Sequence, residues 1–183
     1  MKSFLRHVMM VFSCCLGEGE VLQAQEASIG SIVDQYIATK EKIKNNQLFS
    51  NTFNLNARKL SWQSSIVYQK TETYYYQFSG QGKIQLNLLR ILTDSIASRY
   101  EIEYLYDPQG NLLYTYEKQN DPQYSYRELK VYFEGEKILK VLEDNVMVNS
   151  SAIFHSSKFR YIRESAYFYL QKFEDYFRLM PQY

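Results

Sequence analysis

The chain has 183 residues, with 21 Lys and Arg against 20 Asp and Glu and a formal net charge of +1. That length holds one ordinary domain or two small ones. The near-neutral balance, with no basic block, removes the main electrostatic drive toward nucleic acid or an anionic membrane. Hydrophobic content of 45% with seven Gly and three Pro excludes wholesale disorder and linker-like chains. The 18 Tyr, greasy rings whose hydroxyls need water or a partner, lean the composition toward half-buried strands.

Residues 1–25 combine a basic start (Lys2, Arg6), an apolar run from Val8 to Leu16 and a small residue, Ala24, at a cleavage point. These are the three parts of a secretory signal, and the apolar run is too short for a mature membrane span of about 20 residues. The expectation is a signal peptide over 1–25, a single domain over 26–183, and a periplasmic or extracellular product. A rival is lipid anchoring at Cys14, whose context Val11-Phe12-Ser13-Cys14 resembles a lipobox with Phe12 too bulky for the usual small residue. Both cysteines, Cys14 and Cys15, lie in this segment, so cleavage after Ala24 leaves no disulfide, zinc-thiolate site or cysteine nucleophile.

Ile29, Ile32, Val33, Tyr36, Ile37 and Ile43 recur at three- and four-residue spacings and predict an amphipathic helix over 29–47, capped by Ser28 or Ser31. Residues 48–61 are rich in Asn and Ser and read as a connection with a short strand near Phe53–Leu55. From Trp62 the period becomes two. Strands are expected at 62–69, 73–78, 83–92, 99–106, 112–117, 124–133 and 137–142, with a further short one at 146–148, separated by turns such as Asp107-Pro108-Gln109-Gly110 and Glu134-Gly135.

One hairpin can be taken to its register. A three-residue loop with Gly110 left-handed opposes Tyr106 to Leu112, Tyr104 to Tyr114 and Ile102 to Tyr116, leaving Glu101 and Glu103 on the polar face. A final helix over 156–180 places Phe159, Ile162, Ala166, Tyr169, Leu170, Phe173, Phe177 and Met180 on one stripe. Tyr161, Tyr167, Phe168 and Tyr176 widen it, and Pro181 ends it. The fold class expected is α+β: an antiparallel meander of six to seven strands flanked by an N-terminal and a C-terminal helix. The hairpins share a loose design without a repeat period.

Chemistry is sparse. Past residue 25 the only histidine is His155, no Gly-x-Ser-x-Gly elbow surrounds Ser150, Ser151, Ser156 or Ser157, and Asp107, Asp121 and Asp144 sit singly in turns. Glu101 and Glu103 share a strand face, a spacing that any polar strand face produces. Neither a phosphate-cradling loop nor a metal set is found, so no cofactor, metal site or catalytic residue is expected. The aromatic strand residues are the feature with functional promise. Trp62, Tyr74, Tyr76, Tyr104, Tyr114 and Tyr116, if exposed, form a platform for a protein or glycan; otherwise the rings pack beneath the helices with hydroxyls at the rim.

The stretches Tyr104-Leu-Tyr-Asp-Pro-Gln-Gly-Asn-Leu-Leu-Tyr-Thr-Tyr-Glu117 and Arg127-Glu-Leu-Lys-Val-Tyr-Phe-Glu-Gly-Glu-Lys-Ile-Leu-Lys-Val-Leu142, followed by a long aromatic helix, resemble a group of uncharacterised exported bacterial proteins. The resemblance implies export and an antiparallel core and carries no catalytic residue. The functional expectation is a non-catalytic exported or cell-envelope module that binds a protein or glycan through its sheet. The alternatives are an inhibitor or immunity-type protein blocking another macromolecule, and a hydrolase of unfamiliar type built around His155.

Overall fold

A computed structural model describes residues 2–56, 69–80, 83–95, 98–120, 127–148 and 157–179. The first helix, α1, runs Lys2–Lys44. No proline interrupts it, so Ser28 and Ser31 lie within the helix rather than capping it, and the Ser28 hydroxyl donates to Glu134 Oε1 at 3.3 Å. The helix stops three residues earlier than its periodicity suggests. Asn46 takes a left-handed φ of 55°, with Gln47 N–H bonding Lys42 C=O at 2.8 Å and Asn46 N–H bonding Ile43 C=O at 3.1 Å. That pair of bonds closes the open carbonyls of the last turn.

Eight strands follow: β1 Phe49–Leu55, β2 Gln69–Phe78, β3 Ile84–Asp94, β4 Arg99–Tyr106, β5 Leu112–Gln119, β6 Glu128–Glu134, β7 Lys137–Glu143 and β8 Val146–Met147. Each pairs antiparallel with the next, giving an open meander in the order β1 to β8. Among the described residues the count is eight rather than six or seven because the Asn-rich stretch after α1 forms a full strand and the short β8 pairs with β7. Residues 62–68, 124–126 and the His155 cluster lie outside the described residues. The closing helix, α2, spans Ser157–Arg178.

The flanking helices cover opposite faces of the sheet. Phe159, Ile162, Ala166 and Phe173 of α2 join Tyr74, Tyr76, Leu89, Tyr104, Tyr106, Val131 and Phe133 in one cluster. On the other face Ile29 and Ile32 of α1 pack with Leu88, Leu105, Tyr114, Tyr132 and Leu139. Central strands buried on both faces cannot alternate strictly in polarity, which explains runs such as Leu86–Ile91. On α2 the stripe is narrower than expected: Tyr161, Tyr167, Phe168 and Tyr176 remain exposed.

Three β-bulges carry the strands between these two environments. In the hairpins β2–β3, β4–β5 and β6–β7 the register slips so that Asn87, Leu113 and Leu139 are extra residues on the second strand, at equal intervals along the chain. Leu113 and Leu139 join the cluster beneath α1. An inserted residue bends a strand and increases its twist, so the same device, used three times, shapes the sheet under α1.

The β4–β5 register is therefore part right and part wrong. Gly110 has φ +86°, its N–H bonds Asp107 C=O at 3.0 Å, and Tyr106 opposes Leu112 as expected. Beyond Leu113 every pair moves by one: Tyr104 opposes Thr115, and Glu103 opposes Tyr116. Tyr114 and Tyr116 consequently face α1, while Tyr104 and Tyr106 face α2.

Candidate functional site

The tyrosines singled out by sequence do not form one row. Tyr74, Tyr76 and Tyr104 are buried under α2, with the Tyr74 ring stacked on Phe173 at 5.7 Å and Tyr76 edge-on to Phe177 at 4.8 Å. Tyr114 is buried under α1 and Tyr116 half-buried beside it, its hydroxyl donating to Glu128 Oε1 at 3.0 Å. Trp62 lies outside the described residues. These five rings are structural layers under the two helices, and the bulge in β5 separates them onto two faces.

One exposed apolar surface runs along β1, the end of β2 and α2, apart from the exposed Val146 and Met147 of β8. Phe49, Leu55, Phe78, Phe168, Tyr176 and Leu179 are all exposed. Phe53 of β1 sits edge-on to Tyr74 at 5.7 Å and to Tyr176 at 5.0 Å. Between the strand and the helix end is a cleft of about 170 Å³ lined by Asn51, Phe53, Tyr74, Phe173, Tyr176 and Phe177 among others, with Lys172 and Asp175 at its border. Sequence reasoning passed over this surface because residues 48–61 looked like a connection. The signal available was Phe49, Phe53 and Leu55 at even spacing.

β1 is also an edge of the sheet. Among the described residues it pairs with β2 alone. A free edge carries a row of backbone N–H and C=O groups ready to pair, and proteins usually blunt it with Lys, Pro or short length. Phe49-Ser-Asn-Thr-Phe-Asn-Leu55 has none of these over seven residues. The opposite edge, β8, is two residues long.

Two partly buried charge networks flank this architecture. Under α2, Glu72 accepts from Lys172 Nζ at 2.6 Å and from the Tyr74 hydroxyl at 3.0 Å, and pairs with Lys70 Nζ at 2.9 Å. Lys70 also donates to the Tyr169 hydroxyl. Burial raises the Glu72 pKa, but the bonds from Lys172 and Lys70 outweigh it and hold the carboxyl below its ordinary value. Burial likewise lowers Lys70, and its bonds to Tyr169 and Glu72 carry it above its ordinary value. Under α1, the fully buried Glu103 accepts from the Tyr36 hydroxyl and from Lys40 Nζ, each at 2.6 Å, with Arg90 Nε 3.6 Å away. Burial, then the Glu103 charge and hydrogen bond, push the Tyr36 hydroxyl far above its ordinary value. Glu101 pairs with Arg90 at 2.6 Å. Glu103 is thus clamped to α1 through Tyr36 and Lys40, while Glu101 pairs within the sheet with Arg90 of β3.

The turn aspartates have local partners. Asp107 Oδ1 accepts from the Gln109 and Asn111 backbones at 2.8 Å, and Asp144 Oδ1 from those of Arg127 and Glu128 at 2.9 and 2.8 Å. Among the described residues no group of three or more His, Cys, Asp or Glu could hold a metal, and no helix is long and apolar enough to cross a membrane.

Also beneath α1 is a cavity of about 200 Å³ lined by Ile32, Val33, Tyr36, Tyr114, Lys130 and Tyr132. The Tyr114 ring lies between the other two, 4.9 Å from Tyr36 and 5.0 Å from Tyr132.

No protein-family model matches the chain, and no curated protein or solved structure matches it.

Proposed function

We propose that the chain is an exported, non-catalytic recognition module that holds a protein partner by strand addition at β1. The observation that carries this reading is the seven-residue, uncharged, exposed edge strand beside an aromatic cleft. An extended segment of a partner laid along β1 satisfies the edge backbone groups, and alternate side chains of that segment point to the face of Phe53 and the cleft. Backbone pairing then supplies affinity and the cleft selects an apolar side chain. Export rests on the pattern of residues 1–25 and on the likeness to uncharacterised exported proteins.

Site-specific photocrosslinking tests the proposal. A photoreactive phenylalanine at Phe49 or Leu55, in cells producing the full chain, should capture a protein through an extended segment. The double substitution Ser50→Lys with Asn54→Lys should abolish capture while lowering Tm by no more than the loss of the one exposed hydrogen bond from the Thr71 hydroxyl to Asn54. Absence of a crosslink at both positions, or crosslinks indifferent to the added charges, refutes strand addition.

A further inference from the structure

The cavity under α1 has a property that the α1 packing does not require. Tyr114 and Tyr132, 4% and 7% exposed, line it, yet neither hydroxyl has a hydrogen-bond partner among the described residues, whereas Tyr36 bonds Glu103 and Tyr116 bonds Glu128. Neither hydroxyl is among the sealed polar atoms without a partner, so both reach accessible space. Both residues line this cavity. A phenylalanine serves a purely apolar packing site as well, because burying a hydroxyl without a partner costs about 1–3 kcal/mol.

We infer that this cavity is a binding site for one neutral sugar ring. At about 200 Å³ it lies below the roughly 300 Å³ where drug-sized pockets begin, so it takes a single ring. Aromatic walls offer apolar faces to the C–H side of a pyranose, and the Tyr114 and Tyr132 hydroxyls donate to or accept from its hydroxyls. The charge on the lining argues for a neutral guest. Lys130 lines the cavity, so a cation is repelled from an otherwise cage-like set of rings. Its Nζ is already bonded to Asn145 Oδ1 at 2.6 Å and lies 3.9 Å from Glu128, which leaves it a poor counterion for an anion. Other acidic groups on this face, Glu103 and Glu101, are held by Lys40 and Arg90. The site is on the α1 face, away from the β1 edge, and does not depend on strand addition.

The probes are glucose, galactose and N-acetylglucosamine, their methyl glycosides, and choline and inorganic phosphate as charged controls. Saturation-transfer NMR on the full-length protein screens them, and titration of the best probe gives its Kd. At least one neutral sugar should bind, with Tyr114→Phe and Tyr132→Phe each weakening it by about 2–10-fold, one hydrogen bond's worth, and leaving Tm unchanged because neither hydroxyl has a partner among the described residues. Methyl glycosides binding as well as free sugars assigns the terminal ring of a glycan; binding of free sugars alone assigns a monosaccharide. No neutral sugar binding, equal binding by both Phe variants, or preference for choline or phosphate overturns the inference.

Discussion

Substituting Gly110 by alanine should destabilise the protein by an amount that three glycines together resolve. Gly110 has φ +86°, and a Cβ there would lie 3.1 Å from Leu170 Cδ2 of α2. The left-handed backbone alone costs a non-glycine residue about 1–2 kcal/mol. The contact is tighter than ordinary van der Waals distance and pushes on a partly buried leucine, adding up to roughly 1 kcal/mol. Gly135, with φ +57° and nothing within 4 Å of its Cβ, should show the backbone cost alone. Gly30, inside α1 with an open Cβ position, should gain about 0.5–1 kcal/mol as alanine. At about 2–4 °C per kcal/mol for a chain of this size, the order of melting temperature is Gly30→Ala above wild type, then Gly135→Ala, then Gly110→Ala. A double-mutant cycle of Gly110→Ala with Leu170→Ala should return a coupling of about 0.5–1 kcal/mol. Gly110→Ala melting with the wild type, or Gly135→Ala falling further than Gly110→Ala, refutes the account of this turn and its docking against α2.

Other consequences are open to measurement. Replacing Glu72 by Ala leaves Lys70 and the Tyr74 hydroxyl without their acceptor and should cost about 3 kcal/mol in chemical denaturation, Lys172 being exposed enough to regain water. Glu72 is held below its ordinary value when folded, so its contribution is full above the unfolded carboxylate pKa of about 4.3 and fades as pH falls through the lower folded value; Glu72→Gln should flatten that acid limb of a stability-against-pH curve. Lys70 works with the opposite sign, stabilising fully below its unfolded pKa of about 10.4 and less as pH rises through its higher folded value. Tyr36→Phe removes a hydrogen bond to the buried Glu103 carboxylate and should cost about 1.5–3 kcal/mol by the same assay. N-terminal sequencing of the protein recovered from producing cells should begin at Gln25; a lipid-modified Cys14 as first residue, or an intact Met1, overturns the cleavage expected after Ala24.

Much of the fold is legible from local chemistry. Turn residues place the hairpins: Asp107 and Gly110 act as their types suggest, and Asp144 and Asn145, with φ of 48° and 67°, form the two-residue turn between β7 and β8. The paired helices follow from three- and four-residue spacing. What periodicity hides is the bulge. Leu112-Leu113-Tyr114 and Ile138-Leu139 break alternation in a way that a strand buried on both faces also does, so the extra residue is invisible until the partner strand is laid beside it. The burial of the tyrosine rings escaped notice for a related reason. Tyrosine suggests a half-exposed sheet, yet with a helix on each face Tyr74, Tyr104 and Tyr106 become core residues, the last donating its hydroxyl to Ala166 C=O at 2.7 Å. The exposed rings are those of α2, of Phe78 and of Phe49, the last on an edge strand whose Asn and Ser content reads as loop.

The free edge is where the account is most directly tested, by amide hydrogen exchange on the full-length protein across a concentration series and then with the crosslinked partner added. Outward-facing amides of Phe49–Leu55 should exchange quickly in the isolated protein at every concentration, while those of β3 stay protected, and should slow once the partner is bound. If the β1 amides are as slow as those of β3 without a partner, the edge is already occupied. If they stay fast with the partner bound, recognition does not run through β1.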